Sequence, residues 1–227
     1  VPVHGVAQTR HNCFVLTNVK ILVSPEKTIE NGTIVVRNGK IEAVGAKVDQ
    51  PKDLPVIDGQ NHVVVPSFIE LNSSIGLPEY KEAPISRDEQ NTGQTSTPYY
   101  WNHSIHPELN PVESYTLNPT AINDLHKMGF GLALIHTNDG IAQGYGSLVA
   151  LGKDNLKNQL LKSEVAGFYS FRSGNNSQSY PSSQMGSIAL LRQSLYDAEW
   201  HEKYGKELNY SLDALNKQKE LPCFFNI

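Results

Sequence analysis

The sequence predicts an α/β protein with two regions of different character. Short β-branched runs fill the first part of the chain, and helix-like and strand-like segments alternate after about residue 119. Hydrophobic residues are 39% of the 227 and charged residues 19%, which is typical of a globular chain with a substantial core. We expect a β-rich part at 1–66 and a helix–strand part at 67–227.

Two turn signals organise the β-rich part. The stretch "GTIVVRNGKIEAVGA" predicts a hairpin, because Asn38-Gly39 suits the positive φ angles of a type I′ turn. The stretch "PVIDGQNHVVV" repeats the device with Asp58-Gly59. Together with "FVLTNVKILV", these strands predict a small antiparallel sheet or sandwich.

A long polar stretch at 76–119 has little periodicity and predicts a loop. Loops of this length inside a compact protein are usually functional or cover something. Tyr99, Tyr100 and Trp101 give this loop an aromatic cluster, so we expect much of it to pack against the protein.

Helices and strands alternate in the last part of the chain. Asn118-Pro119 and Gly129 mark the start and end of one helix, and a second is expected from about Ser211 to Lys219. The best helix runs through "PSSQMGSIALLRQSLYDAEWHEKYG", with Ser182 or Ser183 as its N-cap. Its expected apolar face is Met185, Ile188, Leu191 and Leu195. The strand candidates are "FGLALIH", "YGSLVALG", "EVAGFYSF" and "LPCFFN", and their alternation with helices predicts parallel βα units.

Charge and hydropathy exclude some partners. The net charge is −4 and no Lys/Arg block stands out, so we expect no nucleic-acid partner. The apolar runs are too short to span a bilayer, so we expect no membrane partner. The chain starts Val1-Pro2 rather than with Met, and this trimmed start and five Asn-x-Ser/Thr sequons slightly favour an exported or periplasmic protein. Cys13 and Cys223 are expected to be free buried thiols, with a single disulfide as the alternative.

Several motifs occur in a familiar order. "GKIEAVG" is followed by "VIDGQNHVVVPSFIEL" and then by "HKMGFGLALIHTNDG". This order resembles the metal-dependent amidohydrolase superfamily, which includes imidazolonepropionase- and dihydroorotase-like hydrolases. The resemblance implies a small N-terminal β-sandwich followed by a (β/α)8 TIM-like barrel. It also implies a divalent metal such as zinc, whose bound hydroxide acts as the nucleophile in the hydrolysis of the C–N bond.

The sequence departs from the family pattern where the metal ligands are expected. Asn72 and Ser74 occupy the positions of two histidines on the first barrel strand, and Asn226 occupies the position of a third. Neither a carboxamide nor a hydroxyl is a usual ligand in a zinc-type catalytic centre. We therefore expect no cofactor in this chain.

Length limits how much of a barrel the chain can form. A complete (β/α)8 barrel takes roughly 250 residues, whereas about 160 follow Pro66. We expect only the first βα units of an incomplete barrel. An open half-barrel would expose apolar strands, so the expected partner is the remainder of the natural polypeptide or a second chain, and a homo-oligomer is a further option.

Three residues are candidates for catalysis. His136 ends the predicted strand "GLALIH" and Asp139 follows it, at the end that carries function in barrels, and Glu70 lies on the strand before Asn72. The alternative is structural: strand-end hydrogen bonds and a turn for His136 and Asp139, and a half-buried, hydrogen-bonded carboxylate for Glu70.

Other polar residues have weaker signals. His103, His106 and Glu108 have ligand-like spacing, but loop packing explains them as well, and His201 is expected to be solvated. Ser182, Ser183 and Gln184 precede or begin a helix, so they could bind an anion or could simply cap the helix.

Two functional interpretations remain open. In the first, the chain is the N-terminal portion of an amidohydrolase-like hydrolase acting on non-peptide C–N bonds, and this segment lacks the metal centre. In the second, it is a degenerate, non-catalytic amidohydrolase domain that serves as a structural, dimerising or substrate-gating module. Whether the chain is an enzyme stays open at this point.

Overall fold

A computed structural model describes residues 12–79, 98–152 and 156–226. The chain divides after Pro66 into two compact units, which are described separately.

The first unit contains one mixed five-stranded sheet. Its strand order is β3-β2-β1-β4, and β5 also pairs with β1. Val15 and Val35, on neighbouring strands, are buried in its core together with Leu54. The strands are β1 (Phe14–Ser24), β2 (Lys27–Arg37), β3 (Lys40–Gly45), β4 (Val56–Asp58) and β5 (Val63–Val64).

The two predicted turns of this unit differ in outcome. Asn38 and Gly39 have φ angles of 53° and 74° between antiparallel β2 and β3, which confirms the hairpin. The Asp58-Gly59 hairpin prediction is wrong, because β4 and β5 both run parallel to β1. Here Asp58 Oδ1 accepts hydrogen bonds from the backbone N of Gln60 at 2.9 Å and from Asn18 Nδ2 at 3.0 Å. These bonds hold the turn against β1 rather than folding β4 onto β5.

The second unit is built on another five-stranded sheet, in the order β10-β9-β8-β7-β6. β6 is parallel to β7 and β9 is parallel to β10, but β8 is antiparallel to both of its neighbours. The expectation of parallel βα units throughout is therefore wrong at β8. The connections on either side of β8 are shorter than the dozen or more residues that a parallel crossover needs. The strands are β6 (Phe68–Ser73), β7 (Phe130–Ile135), β8 (Ala142–Ala150), β9 (Leu160–Ser170) and β10 (Cys223–Asn226).

The predicted helix starts are confirmed. Asn118 accepts a hydrogen bond from Ala121 N at 3.1 Å, and Ser183 accepts one from Gly186 N at 3.1 Å, so both act as N-caps. Gly129 ends the first of these helices with a φ of 90°. The helices are α1 (Pro119–Lys127), α2 (Leu156–Gln159), α3 (Gln184–Tyr204) and α4 (Tyr210–Gln218).

The predicted apolar face of α3 is wrong in part. Met185 is 83% exposed and Ile188 is also exposed, although Leu191 is buried as expected. Small residues form much of the inward face instead, since they let the helix approach its neighbours closely. The buried residues of α3 are Ser187, Leu190, Leu191, Ser194 and Ala198.

Two further expectations need correction. His201 is not solvated: its side chain is 13% exposed, and its Nε2 lies 3.3 Å from Asp213 Oδ1 of α4. Both cysteines are free thiols, but only Cys13 is buried, and Cys223 is exposed.

Part of the long loop packs as expected. Tyr100 is buried and its hydroxyl donates to Asp197 Oδ2 at 2.7 Å. Ile105 forms a bridge with Ala142 at the start of β8, and a 3-10 turn spans Pro111–Glu113. Residues 80–97 of this loop lie outside the described residues. Within the described part of the chain, no helix has the length and apolar character needed to cross a membrane.

Candidate functional site

The candidate site lies where β6 and β7 end. These strands are parallel, so their carboxyl ends meet at one edge of the sheet. The backbone N of His136 donates to the carbonyl of Ser73 at 3.0 Å, which fixes the end of one strand against the other. As a result, Asn72 and His136 are brought together from positions 64 residues apart.

The His136 imidazole is fully engaged by its surroundings. Its side chain is 1% exposed, Nδ1 lies 2.8 Å from the carbonyl oxygen of Thr137, and Nε2 lies 2.6 Å from Asn72 Oδ1. One face of the ring stacks on Phe168 with 3.8 Å between ring centroids. Phe168 in turn stacks on Phe224 at 5.0 Å, so one imidazole and two phenyl rings form a continuous stack.

Burial determines the protonation state of this histidine. Burial lowers the pKa of His136, and the hydrogen bond to the Thr137 carbonyl opposes this only in part. A neutral ring has one hydrogen, and the Thr137 carbonyl requires it on Nδ1. Nε2 is then an acceptor, and it pairs with Asn72 when the carboxamide turns its NH2 group towards the ring.

Glu70 and the polar residues after it face a cavity of about 770 Å³. Asn72 of β6 and Ser74 just after it line this cavity, and Asn138 lines it from the segment after β7. Glu70 is half-buried, and its Oε1 accepts a hydrogen bond from Asn72 N at 3.1 Å. The cavity therefore has a polar wall at the strand ends, and apolar side chains come from α1 and the segment after β6. These are Ile75, Leu77, Leu125 and Met128.

Asp139 has a different position from the other two catalytic candidates. Its Oδ1 accepts a hydrogen bond from Asn175 N at 2.5 Å, which ties the turn after β7 to the segment after β9. A side chain at Gly174 would lie 2.2 Å from the same oxygen, so only glycine allows this approach. The structure thus brings Glu70, Asn72 and His136 together. Asp139 instead hydrogen-bonds to the loop after β9.

The remaining predicted sites lie elsewhere in the second unit. Asn226 is exposed at the end of β10, which is the outermost strand on the side of the sheet away from β6. Ser182 and Ser183 border a cavity of about 430 Å³ together with Arg172, while Ser183 also caps α3. Anion binding at Ser182, Ser183 and Gln184 stays a prediction.

The proposed trio of His103, His106 and Glu108 forms a pair rather than a ligand set. His106 Nδ1 lies 3.5 Å from Glu108 Oε1. Burial opposes the charge on His106, but the hydrogen bond and charge of Glu108 outweigh it and raise its pKa. Nowhere in residues 12–79, 98–152 and 156–226 do three His, Cys, Asp or Glu side chains form a group that could hold a metal ion.

Sequence reasoning missed the two phenylalanines behind His136. The one local signal was the spacing of Gly144 and Gly146 in β8. A Cβ on Gly146 would lie 2.4 Å from Phe168 Cε2, so this glycine makes room for the stack. Nothing in the sequence near Phe168 or Phe224 indicates that their rings meet a histidine from another strand.

The residues at the end of β6 do not fit a zinc-type centre. Such a centre needs imidazole, thiolate or carboxylate ligands in a tetrahedral set. Here one imidazole has both ring nitrogens within hydrogen-bonding distance of neighbours, and the side chains at the family ligand positions on this strand are a carboxamide and a hydroxyl.

Comparisons with known proteins found similarity in sequence over a short stretch and in fold over most of the chain. A dihydroorotase from Anaeromyxobacter dehalogenans (strain 2CP-C) is 40% identical over 52 residues, which is 22% of this chain and 12% of that protein. A dihydroorotase from Anaeromyxobacter sp. (strain K) is 38% identical over 52 residues. The crystal structure of an amidohydrolase from Thermotoga maritima MSB8 superposes with a TM-score of 0.65 at 18% identity, covering 93% of this chain and 57% of that one.

The resemblance to the metal-dependent amidohydrolase superfamily is confirmed. The mixed α/β fold, with a curled half-barrel sheet in the second unit, matches an amidohydrolase structure. No protein-family profile matches the chain. The dihydroorotase match is short, so the chain corresponds to a small share of those relatives' length.

Proposed function

We propose that this chain is the N-terminal portion of an amidohydrolase-like hydrolase that acts on non-peptide C–N bonds, and that this segment does not build the metal centre. The dihydroorotase and amidohydrolase resemblances support the hydrolase class. The donor set at the end of β6 supports the second part, because Asn72 and Ser74 replace imidazoles.

The sheet edges support an incomplete barrel. We propose that the first unit corresponds to the small β-sandwich part of the family and the second to the first βα units of the barrel. Phe68, Ile69 and Leu71 on the edge strand β6 are exposed, as is Phe225 on the other edge strand, β10. Exposed apolar edge strands are rare in isolated domains. The remainder of the natural polypeptide, or a second chain, would cover them.

The bond between His136 and Asn72 is the single observation that carries the proposal. In this arrangement the imidazole is neutral, buried and stacked on Phe168, and its nitrogens face Thr137 and Asn72. A metal would have to displace a 2.6 Å contact and rotate a ring that is packed on one face. Without a metal, Glu70, Asn72 and Ser74 would contact a ligand in the cavity directly.

A non-catalytic role is the second candidate. The aromatic stack of Phe168 and Phe224 favours it, because it fixes the strand ends with apolar side chains where an active centre would need polar ones. In that case the domain is a degenerate amidohydrolase module that serves a structural, dimerising or substrate-gating role.

Metal analysis of the purified chain tests the proposal. After incubation with zinc and desalting, we expect far less than one zinc per chain, with no change in the His136→Ala variant. Near-stoichiometric zinc that is lost in His136→Ala would contradict it.

Hydrolysis assays with cyclic amides then separate the two candidates. We expect the isolated chain to be inactive and the whole natural polypeptide to be active. Inactivity of both would favour the non-catalytic module.

A further inference from the structure

Thr137 connects the His136 ring to the neighbouring strand β8. Its carbonyl oxygen lies 2.8 Å from Nδ1 of His136, and its hydroxyl donates a hydrogen bond to the carbonyl of Gln143. Thr137 is 3% exposed and Gln143 is 2% exposed, so water has little access to either bond. One residue therefore holds the ring on one side and is itself held by β8 on the other.

β8 has a β-bulge where it meets Thr137. Between Ala142 and Gly144, β8 advances two residues while its partner β9 advances one, so Gln143 is the extra residue. Gly144 has a φ of 98°, in the left-handed region that favours glycine. The Gln143 side chain also holds the turn after β7, since its Nε2 donates to the carbonyl of Gly140 at 3.2 Å. The bulge thus presents the carbonyl of Gln143 to the Thr137 hydroxyl.

The carbonyl of Thr137 is the group that determines the tautomer of His136. On the other side of the ring, Nε2 faces the Asn72 carboxamide. A carboxamide has a donor end and an acceptor end, so it can pair with Nε2 in either tautomer. A carbonyl oxygen can only accept, so it requires the hydrogen on Nδ1. The hydroxyl bond that holds this carbonyl in place therefore also fixes the ring.

The tautomer in turn determines which end of Asn72 faces the cavity. Nε2 without a hydrogen pairs with the NH2 group of the carboxamide, so the carbonyl oxygen points away from the ring. Asn72 is exposed and lines the cavity of about 770 Å³ beside Glu70, so its oxygen and the Glu70 carboxylate form one acceptor-rich edge. We propose that Thr137 is a positioning residue that sets this polarity, and that the cavity takes a ligand with a free N–H group, such as a cyclic amide or imide.

The two parts of the proposal depend on different things. The ligand class rests on the proposed function, whereas the tautomer of His136 does not. Hydrolysis and zinc binding test the proposed function by other readouts, so each part can fail separately.

Nitrogen-15 NMR of the His136 ring at pH 8 tests the positioning role. The unmodified chain should show a single form, with the hydrogen on Nδ1. Thr137→Val removes the hydroxyl but keeps the branched side chain, so the carbonyl is no longer held and the form with hydrogen on Nε2 should appear. Thr137→Ser restores the donor and should restore the single Nδ1–H form.

Thr116→Val is the matched control, because it removes another threonine hydroxyl that donates to a carbonyl, that of Gly76 at 3.1 Å. It should leave the ring in the Nδ1–H form. If circular dichroism shows that Thr137→Val does not fold, Thr137→Ala removes the same donor and has the same expected result. An unchanged Nδ1–H ring in the variant that lacks the Thr137 hydroxyl would overturn the positioning role, and so would loss of that form in Thr137→Ser.

Binding of succinimide and N-methylsuccinimide to the unmodified chain, followed by the NMR signals of the Asn72 side chain, tests the ligand class. We expect succinimide to bind at least about threefold more tightly, because the N-methyl group leaves the acceptors of Asn72 and Glu70 unpaired. The preference should be lost in Thr137→Val and retained in Thr116→Val. Equal binding of the two compounds, or no binding of either, would overturn the ligand class and leave the ring result intact.

Discussion

Two histidines of the second unit show how partner charge determines the effect of burial. Burial lowers the pKa of His136, whose neighbours are a carboxamide and a carbonyl oxygen. Burial acts in the same direction on His106, yet Glu108 raises its pKa overall, with a smaller contribution from Asp139. The second unit therefore favours a neutral imidazole at His136, where no carboxylate contacts the ring, and a charged imidazole at His106, where Glu108 does.

The two histidines therefore change stability in opposite directions with pH. The unfolded pKa of histidine is about 6.5. The pKa of His136 is lower than this in the folded chain, so its contribution is fully present above about pH 6.5 and is lost as the pH falls. The pKa of His106 is higher in the folded chain, so its contribution is present below about pH 6.5 and is lost as the pH rises through the folded pKa.

The largest expected effect comes from removing the ring behind His136. Phe168 is 2% exposed and stacks on both His136 and Phe224. Phe168→Ala should lower the free energy of unfolding by about 3–5 kcal/mol, because it leaves a cavity in a closely packed stack. Urea denaturation measures this. Phe68→Ala, at an exposed position on the edge strand β6, is the control and should cost less than half as much.

A charge beside His136 should make it behave like His106. Asn72→Asp places a carboxylate next to Nε2, and an opposite charge at that distance should raise the pKa of His136. An NMR titration of the ring protons measures the shift. Asn72→Ala is the neutral control and should raise the pKa of His136 less than Asn72→Asp does, because it adds no opposite charge. A pKa that is the same in both variants would show that Asn72 does not contact the ring in solution.

The smallest expected effect is at His106. Glu108→Gln keeps the shape and removes the charge, so the pKa of His106 should fall, because the effect of burial is then opposed mainly by the backbone of His103 and the charge of Asp139. Stability at pH 5.5 should decrease more than stability at pH 8, because the contribution of His106 is fully present below about pH 6.5 and is lost as the pH rises through the folded pKa. An equal decrease at both values would mean that the pair acts through packing rather than charge.

Features set by neighbouring residues could be predicted from the sequence. The caps at Asn118 and Ser183 and the turn at Asn38-Gly39 depend on a few adjacent side chains and on positive φ angles. The motif order around Glu70 also located the strand that borders the cavity.

Features set by distant contacts could not be predicted in the same way. The inward face of α3 is formed by Ser187, Ser194 and Ala198, because close helix packing favours small residues over the apolar ones that periodicity selects. The stack on His136 joins residues from three strands. The direction of β8 follows from short connections, which could have been counted in the sequence.

Nitrogen-15 NMR of the His136 ring, with and without added zinc, tests the central claim most directly. We expect a neutral ring at pH 7 that carries its hydrogen on Nδ1, with signals that equimolar zinc leaves unchanged. The Asn72→His, Ser74→His double variant is the positive control, because it supplies the two imidazoles of the family pattern at the end of β6 and should bind zinc. Zinc-dependent shifts of both His136 nitrogens in the unmodified chain would contradict the proposal that this segment does not build the metal centre.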